Sequence, residues 1–278
     1  MHYIARPEID DDAVFLNCVQ FKMRPLKDRF HKAQGALQQA SATYVEKALT
    51  GRLVEVHTIV NGNDFDVSGD ELRLLYDNQL AKKTAKQRDT YDYLRLRARR
   101  CPFCSHRTPE TLDHYLPRES FAEFSIFSAN LVPCCRDCNG VKHTRVLSED
   151  EQLIHPYFDN ISEYPWLECA LAFVDNAPIY DFYVSQNAGL PDELMRKARF
   201  HMGALNLSEL YAVEAVDEVA GMTVHVKSVY SALDAQGVKD HLADLAASKS
   251  AYNRNTWTSA LYRSLASNDR FCQMDWSV

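Results

Sequence analysis

The sequence lacks any run of about 18 apolar residues, the length at which a helix can cross a bilayer. Its first residues, Met1 to Asp11, also lack the basic-then-apolar order of a secretory signal. Neither an internal repeat nor a low-complexity linker interrupts it. These absences predict a cytoplasmic protein with no membrane partner, built from packed elements along its whole length.

An excess of positive charge is missing as well. The formal net charge is −7 and the pI is near 5.8, which argues against a protein that coats nucleic acid by bulk electrostatics. Locally the balance reverses, since nine basic residues lie between Lys82 and Arg107, against only Asp89 and Asp92. That segment is either a stripe that faces phosphates or a solvated helix face, and its composition leaves both open.

Hydrophobic patterning indicates a mostly helical chain. The spacing of apolar residues predicts a helix from about Pro25 to Leu49, whereas Leu53 to Val60 alternates like a short strand before the break at residues 61–64. Ser68 followed by Glu71 is a capping-box signature that predicts a helix start. A further helix is expected from about Lys86 into Arg97.

The second half of the chain predicts a hairpin followed by helices. Leu167 to Val174 and Ile179 to Val184 have the composition of strands, with a turn between them. From Pro191 to about Asp269 the pattern becomes helical. The fold class expected is therefore α+β, mostly helical, with an N-terminal helical region (1–95), a small central module (96–160) and a hairpin-plus-helices region (161–278).

Cysteine spacing identifies the central module. Of eight cysteines, five fall between Cys101 and Cys138. Two pairs have the two-residue gap that zinc favours, Cys101-Pro-Phe-Cys104 and Cys135-Arg-Asp-Cys138, and four thiolates suit a structural zinc ion. Cys134 could replace Cys135, but Cys135 gives the two-residue gap to Cys138. The isolated cysteines are expected to be buried and inert: Cys18, Cys169 and Cys272.

A second constellation begins in the thirty residues between the two pairs and continues beyond the second pair. Its parts are Leu112-Asp113-His114-Tyr115-Leu116-Pro117, then Asn130-Leu131-Val132-Pro133, then Cys138-Asn139-Gly140-Val141-Lys142-His143. Histidine suits proton transfer near neutral pH, because its unperturbed pKa is about 6.5. On a helix, residues four apart share a face, so Asn139 and His143 can ligate one ion.

In these residues the sequence resembles the HNH family of ββα-metal nucleases. The resemblance implies that Asp113 is a metal ligand and that His114 is the general base that deprotonates water. It implies that Asn139 and His143 complete the metal site and that Asn130 holds the loop bearing the base. Magnesium, manganese or a similar divalent ion suits this oxygen and nitrogen set better than zinc does. The expected products are a 5′-phosphate and a 3′-hydroxyl.

Three basic residues near the motif are candidates to contact nucleic-acid phosphates: Arg118, Lys142 and Arg145. DNA is the favoured substrate, although the active-site residues do not distinguish the sugar, so an RNA-directed nuclease is the first alternative. The second is a non-catalytic, zinc-dependent nucleic-acid-binding module. The resemblance also implies a context, because bacterial HNH nucleases with long flanks on both sides are often similar to restriction or anti-phage effectors, some of which work with an ATPase partner. His155 is expected to pack or to cap a turn.

Overall fold

The computed structural model describes residues 1–60, 65–142, 148 and 151–273, and the chain divides into two compact units. One unit comprises Tyr3–Asn160, so it contains the predicted central region and all of the predicted N-terminal region except its first two residues. The other comprises Met1–His2 and Ile161–Val278. The described chain is mixed α/β and mostly helical, with two small two-stranded sheets.

The first unit consists of four helices followed by a small ββα segment. Its helices and strands are α1 (Asp11–Val19), α2 (Leu26–Leu49), α3 (Gly69–Tyr76), α4 (Arg88–Arg95), β1 (Thr111–His114), β2 (Leu131–Cys134) and α5 (Arg136–Lys142). Helix α2 has nearly the predicted bounds. The helix expected at Lys86–Arg97 is also present, two residues shorter at each end.

Helices α1 and α3 begin where a side chain accepts a hydrogen bond from a backbone amide of the first turn. Asp10 accepts a hydrogen bond from the amide of Ala13 and caps α1. At α3, Ser68 and Glu71 form the predicted capping box, in which each side chain accepts the other residue's amide. The helices then bury apolar residues in one core, which extends from Phe30 and Leu75 to Leu112 and Leu131 of the two strands.

The prediction of a strand at Leu53–Val60 is wrong. A 3₁₀ turn occupies Leu53–Glu55, and the chain beyond it pairs with a side chain. The Glu123 carboxylate accepts the Ile59 amide at 2.9 Å and the Thr58 hydroxyl at 3.1 Å. Hydrogen bonds within the 3₁₀ turn and to Glu123 thus take up amides that a paired strand would donate to its neighbour. The predicted break at residues 61–64 lies outside the described residues.

Strands β1 and β2 pair in antiparallel register, with Asp113 opposite Val132 and His114 opposite Leu131. Helix α5 starts two residues after β2 ends. The segment therefore has the order strand, strand, helix, and the long connection between its strands contains two 3₁₀ turns, Ala122–Phe124 and Ser128–Asn130. This arrangement places the described residues of the predicted site on β1 (Asp113 and His114), on that connection (Asn130) and on α5 (Asn139).

The second unit contains the predicted hairpin and the predicted helices. Its elements are β3 (Leu167–Val174), β4 (Ala177–Val184), α6 (Asp192–Ala204), α7 (Leu207–Asn253), α8 (Trp257–Ser267) and α9 (Asp269–Cys272). The turn consists of Asp175 and Asn176, both at positive φ, which is the backbone of a tight two-residue hairpin. Helix α7 is broken at Asp234, whose φ of 59° and ψ of −163° are not helical. Among the described helices, none has the length and apolar character that a membrane crossing requires.

Candidate metal centre and candidate active site

Four cysteine thiols meet at one buried point: Cys101, Cys104, Cys135 and Cys138. Their sulfur atoms all lie within 4.8 Å of one another. Tetrahedral zinc, with Zn–S bonds of about 2.3 Å, separates its ligands by about 3.8 Å. The Cys104 and Cys135 sulfurs are 4.0 Å apart, too far for a disulfide. The predicted four residues are thus brought together, and the cluster could bind a metal such as zinc.

Backbone amides around the cluster favour the deprotonated, thiolate form of its cysteines. The Arg107 amide donates to Cys104 Sγ at 3.5 Å, and the Cys138 amide donates to Cys135 Sγ at 3.4 Å. Such N–H donors stabilise thiolates, the form in which cysteine binds metal. Ser105, at a φ of 52°, provides the tight turn after Cys104. Each pair therefore forms a knuckle whose amides point at the sulfurs.

Cys134 is buried as the last residue of β2, one position before the cluster. It does not belong to the group of four, so the choice of Cys135 over Cys134 agrees with the geometry. Of the three isolated cysteines, Cys18 and Cys272 are buried as expected, whereas Cys169 is half-buried.

The Asp113 carboxylate is buried on β1, with only 3% of the residue exposed. Burial raises its pKa to about 6, although the nearby Lys142 ammonium lowers it. Lys142 Nζ lies 3.1 Å from Oδ2 and donates to Oδ1 at 3.4 Å. Among the described groups, Lys142 is the ion-pair partner of Oδ2, and none makes a hydrogen bond to that oxygen. The charge of Oδ2 is thus balanced by a lysine ammonium, at a place where a metal cation could bind the same oxygen.

His114 is held at one ring nitrogen. Its Nε2 lies 2.9 Å from the Ser125 carbonyl oxygen, which can only accept, so Nε2 carries the proton and Nδ1 has the lone pair. The Tyr76 ring packs edge-on against the imidazole, with centroids 4.6 Å apart. Burial lowers the pKa of His114 to about 3, and the charges of Arg118 and Lys142 act in the same direction. The ring is therefore neutral at physiological pH.

Asn130 is fully buried and ties together the chain on either side of the site. Its Oδ1 accepts the Leu116 amide at 2.7 Å, and its Nδ2 donates to the Leu116 carbonyl at 3.1 Å. Nδ2 also lies 3.4 Å from the carbonyl oxygen of Phe124, next to Ser125. The side chain therefore fixes both the residues that follow His114 and the turn that binds its ring.

Asn139, on the first turn of α5, is oriented by Thr111. The Thr111 hydroxyl donates to the Cys134 carbonyl at 3.1 Å and accepts Asn139 Nδ2 at 3.1 Å. With Nδ2 engaged in this way, the amide oxygen remains as the group suited to a cation.

The candidate active site is a cavity of about 450 Å³. Asp113, His114 and Asn139 all line it, together with two arginines, Arg118 and Arg136. Three of the predicted active-site residues thus line one cavity. Asn130 lies behind it, and the predicted ligand His143 lies outside the described residues.

The three predicted phosphate contacts differ in placement. Arg118 lines the cavity, pairs with Asp77 at 2.6 Å and stacks over the Tyr76 ring at 5.4 Å. Lys142 is buried and directed at Asp113, so its ammonium does not reach solvent as a phosphate contact requires. Arg145 lies outside the described residues.

The basic segment from Lys82 to Arg107 is largely engaged within the first unit. Arg88 and Arg95 pair with Asp92, and Arg107 pairs with Asp137. Other guanidinium groups donate to backbone carbonyls, that of Arg97 to Ala5 and Arg6 and that of Arg100 to His106. These arginines contact other groups of the same unit, which agrees neither with a stripe that faces phosphates nor with a helix face that is only solvated.

Sequence reasoning missed several residues that shape the site. Tyr76 and Arg136 line the cavity, and the Ser125 carbonyl holds the His114 ring. Arg136 carries a signal that could have been found, since it is a basic residue inside the second cysteine pair. A backbone carbonyl and an aromatic residue from a distant helix leave no local sequence signal.

The comparisons with known proteins assign no function. No family model matches the chain, and no solved structure matches it. The chain is 35% identical over 167 residues to Protein ea31 of Escherichia phage lambda. This match covers 58% of the chain and 55% of the relative, so the chain spans about half the length of the curated relative that it matches.

Proposed function

We propose that this protein is a metal-dependent HNH endonuclease that hydrolyses phosphodiester bonds in nucleic acid, with DNA favoured over RNA. The observation that carries the proposal is the state of His114. Its Nε2 is bound to the Ser125 carbonyl while its ring lines the same cavity as Asp113 and Asn139. A histidine with one nitrogen fixed and the other unprotonated is the arrangement that general-base catalysis requires.

In this proposal His114 accepts the proton of the attacking water at Nδ1. The Ser125 carbonyl selects the tautomer, and Tyr76 limits rotation of the ring. A neutral imidazole is needed for this step, and the lowered pKa of His114 provides it. The anionic phosphate of a substrate would offset the nearby positive charges of Arg118 and Lys142, which makes the imidazole a stronger base during the reaction.

Asp113 and Asn139 are the described residues that would hold the catalytic ion, magnesium or manganese, with His143 as the proposed third ligand. The Oδ2 atom of Asp113, which accepts no hydrogen bond from a described group, and the oriented amide of Asn139 fit a hard, oxygen-preferring cation. When bound, such an ion stabilises negative charge on the phosphate and on the leaving oxygen. The cysteine cluster has the complementary role of a structural zinc site.

Arg118 and Arg136 are the candidates to bind substrate phosphates. Both line the cavity, and their partners Asp77 and Glu110 are exposed enough for a phosphate to compete with them. Arg136 thereby replaces Lys142 in the set of phosphate contacts that we propose.

The experiment is a cleavage assay on labelled single- and double-stranded DNA and RNA, with magnesium or manganese added to zinc-loaded protein. We expect DNA to be cut, leaving 5′-phosphate ends. Cleavage of RNA alone would select the RNA-directed alternative, and binding without cleavage would select the non-catalytic one. A restriction or anti-phage role and an ATPase partner stay predictions.

A further inference from the structure

We propose that Lys142 is an internal counter-cation for Asp113, that a divalent ion competes with its ammonium for this carboxylate, and that the same ammonium positions His114. The inference rests on the proposed function. It changes the predicted role of Lys142 from a phosphate contact to a positioning residue within the site.

The placement of Lys142 supports this role. It is the last residue of α5, and its side chain is only 2% exposed. An ammonium and a carboxylate are both strongly unfavourable in a protein interior unless each is paired. Lys142 and Asp113 pair with each other across the interface between α5 and β1, so each makes the burial of the other tolerable.

The geometry places the ammonium beside the atom that a metal ion would use. Lys142 Nζ is 3.1 Å from Asp113 Oδ2, the oxygen that accepts no described hydrogen bond. A divalent ion bound to that oxygen would lie close to a fixed positive charge in a site of low dielectric, where like charges repel strongly. Lys142 therefore weakens ion binding while it stabilises the ion-free fold.

A second contact of the same ammonium fixes His114. Nζ donates to the His114 carbonyl oxygen at 2.6 Å, while the ring of that residue is held at Nε2 by Ser125. Lys142 thus restrains the backbone of the proposed base, and Ser125 restrains its side chain. The last turn of α5 is in this way coupled to the orientation of the base.

Two substitutions distinguish the effect of the Lys142 charge from that of its hydrogen bond to the His114 carbonyl. Lys142→Met removes both, whereas Lys142→Gln removes the charge and keeps an N–H donor for the His114 carbonyl. The matched control is Lys47→Met, which breaks a lysine–carboxylate pair with Glu55 away from the cavity. All are made in the full-length, zinc-loaded chain, and Mn²⁺ binding is measured by electron paramagnetic resonance of the free ion.

We expect both Lys142 variants to bind Mn²⁺ roughly tenfold more tightly than wild type or more, because a neighbouring positive charge is gone. Their melting temperatures should fall in metal-free buffer and recover with Mn²⁺ by more than that of wild type or Lys47→Met. Adding Asp113→Asn should abolish the gain in affinity. Cleavage, where present, should fall further in Lys142→Met than in Lys142→Gln.

Unchanged or weaker Mn²⁺ binding in both variants would overturn the inference, as would loss of folding in both that Mn²⁺ does not restore. Weaker nucleic-acid binding with unchanged Mn²⁺ affinity would return Lys142 to the role of a phosphate contact. If Mn²⁺ binding depends on Lys142 as expected but wild type cuts neither DNA nor RNA, the proposed function fails and the inference stands.

Discussion

Tyr44 and Asn130, which lie 86 residues apart in the sequence, are joined by a hydrogen bond of 3.2 Å from the phenol to the amide oxygen. The phenol oxygen also lies 3.0 Å from His155 Nε2. Because His155 Nδ1 accepts the Tyr157 amide, Nε2 carries the proton and donates to Tyr44. A directed chain of hydrogen bonds therefore runs from His155 through Tyr44 to Asn130, behind the candidate active site.

Tyr44→Phe tests whether this chain supports the site. The change removes the phenol that donates to Asn130 Oδ1 and accepts from His155 Nε2, so we expect a loss of about 1–3 kcal/mol of unfolding free energy in chemical denaturation. We also expect slower cleavage with little change in substrate KM, since Asn130 then holds the loop around His114 less firmly. Tyr262→Phe, which loses a phenol contact to Glu218 in the other unit, is the control. Equal effects of the two changes on cleavage would show that Tyr44 has only a stabilising role.

Removal of a cysteine ligand tests the structural metal. Cys101→Ser or Cys138→Ser should release the bound zinc and unfold the segment around it, because zinc binding supplies much of the folding free energy of such a segment. Zinc content by mass spectrometry and circular dichroism would measure both effects. Asp113→Asn should retain zinc and secondary structure and lose activity, and its melting temperature should fall because the buried Lys142 loses its paired carboxylate.

Cys134→Ser is the matched control for the zinc site, since Cys134 is a buried thiol adjacent to the cluster and outside it. We expect one zinc ion per chain in this variant, with at most a modest loss of stability. Loss of zinc from Cys134→Ser, with retention in Cys138→Ser, would mean that the cluster uses a different set of thiols.

Asp11 predicts a pH dependence of stability. Its carboxylate accepts the amide and the hydroxyl of Ser128 at 2.9 Å each, but burial raises its pKa to about 6, above the ordinary value of 3.8. The folded state therefore binds the Asp11 proton more tightly than the unfolded state does. The stabilising contribution of this proton is complete below about pH 4 and is lost as the pH rises through 6.

Asp11→Asn should remove this loss, because an amide stays neutral and can still bond Ser128. The unfolding free energy of the variant should exceed that of wild type by an amount that grows between pH 4 and pH 7 and reaches at most about 3 kcal/mol. The neighbouring Asp12→Asn is the control, as Asp12 is exposed. A difference between Asp11→Asn and wild type that does not vary with pH would contradict the expectation.

Sequence reasoning recovered the features that local patterns determine. The cysteine pairs have a fixed two-residue spacing, so the cluster of four and the exclusion of Cys134 could both be predicted. The capping box at Ser68 and the hairpin around Asp175 likewise depend on residues only a few positions apart. The expected packing role of His155 is confirmed, since it is buried and its ring accepts the amide of Tyr157.

What could not be predicted depends on contacts between distant parts of the chain. Leu53–Val60 has the alternation of a strand, but its Ile59 amide donates to the Glu123 carboxylate instead of to a neighbouring strand. No pattern within the segment indicates that partner. Lys142 was a candidate phosphate contact because it lies near the motif, yet its ammonium is buried and pairs with Asp113. Tyr76 contacts His114 only because α3 packs against the module.

The most direct test is the rate of DNA cleavage by His114→Ala, compared with wild type and with His57→Ala, in the presence of manganese. His57 is an exposed histidine in the same unit, so it controls for the loss of an imidazole. We predict that wild type and His57→Ala cut DNA equally well and that His114→Ala is slower by about 10²- to 10⁴-fold, the usual contribution of a general base. Cleavage by a folded, zinc-loaded His114→Ala variant at the wild-type rate, or no cleavage by wild type itself, would contradict the proposed function.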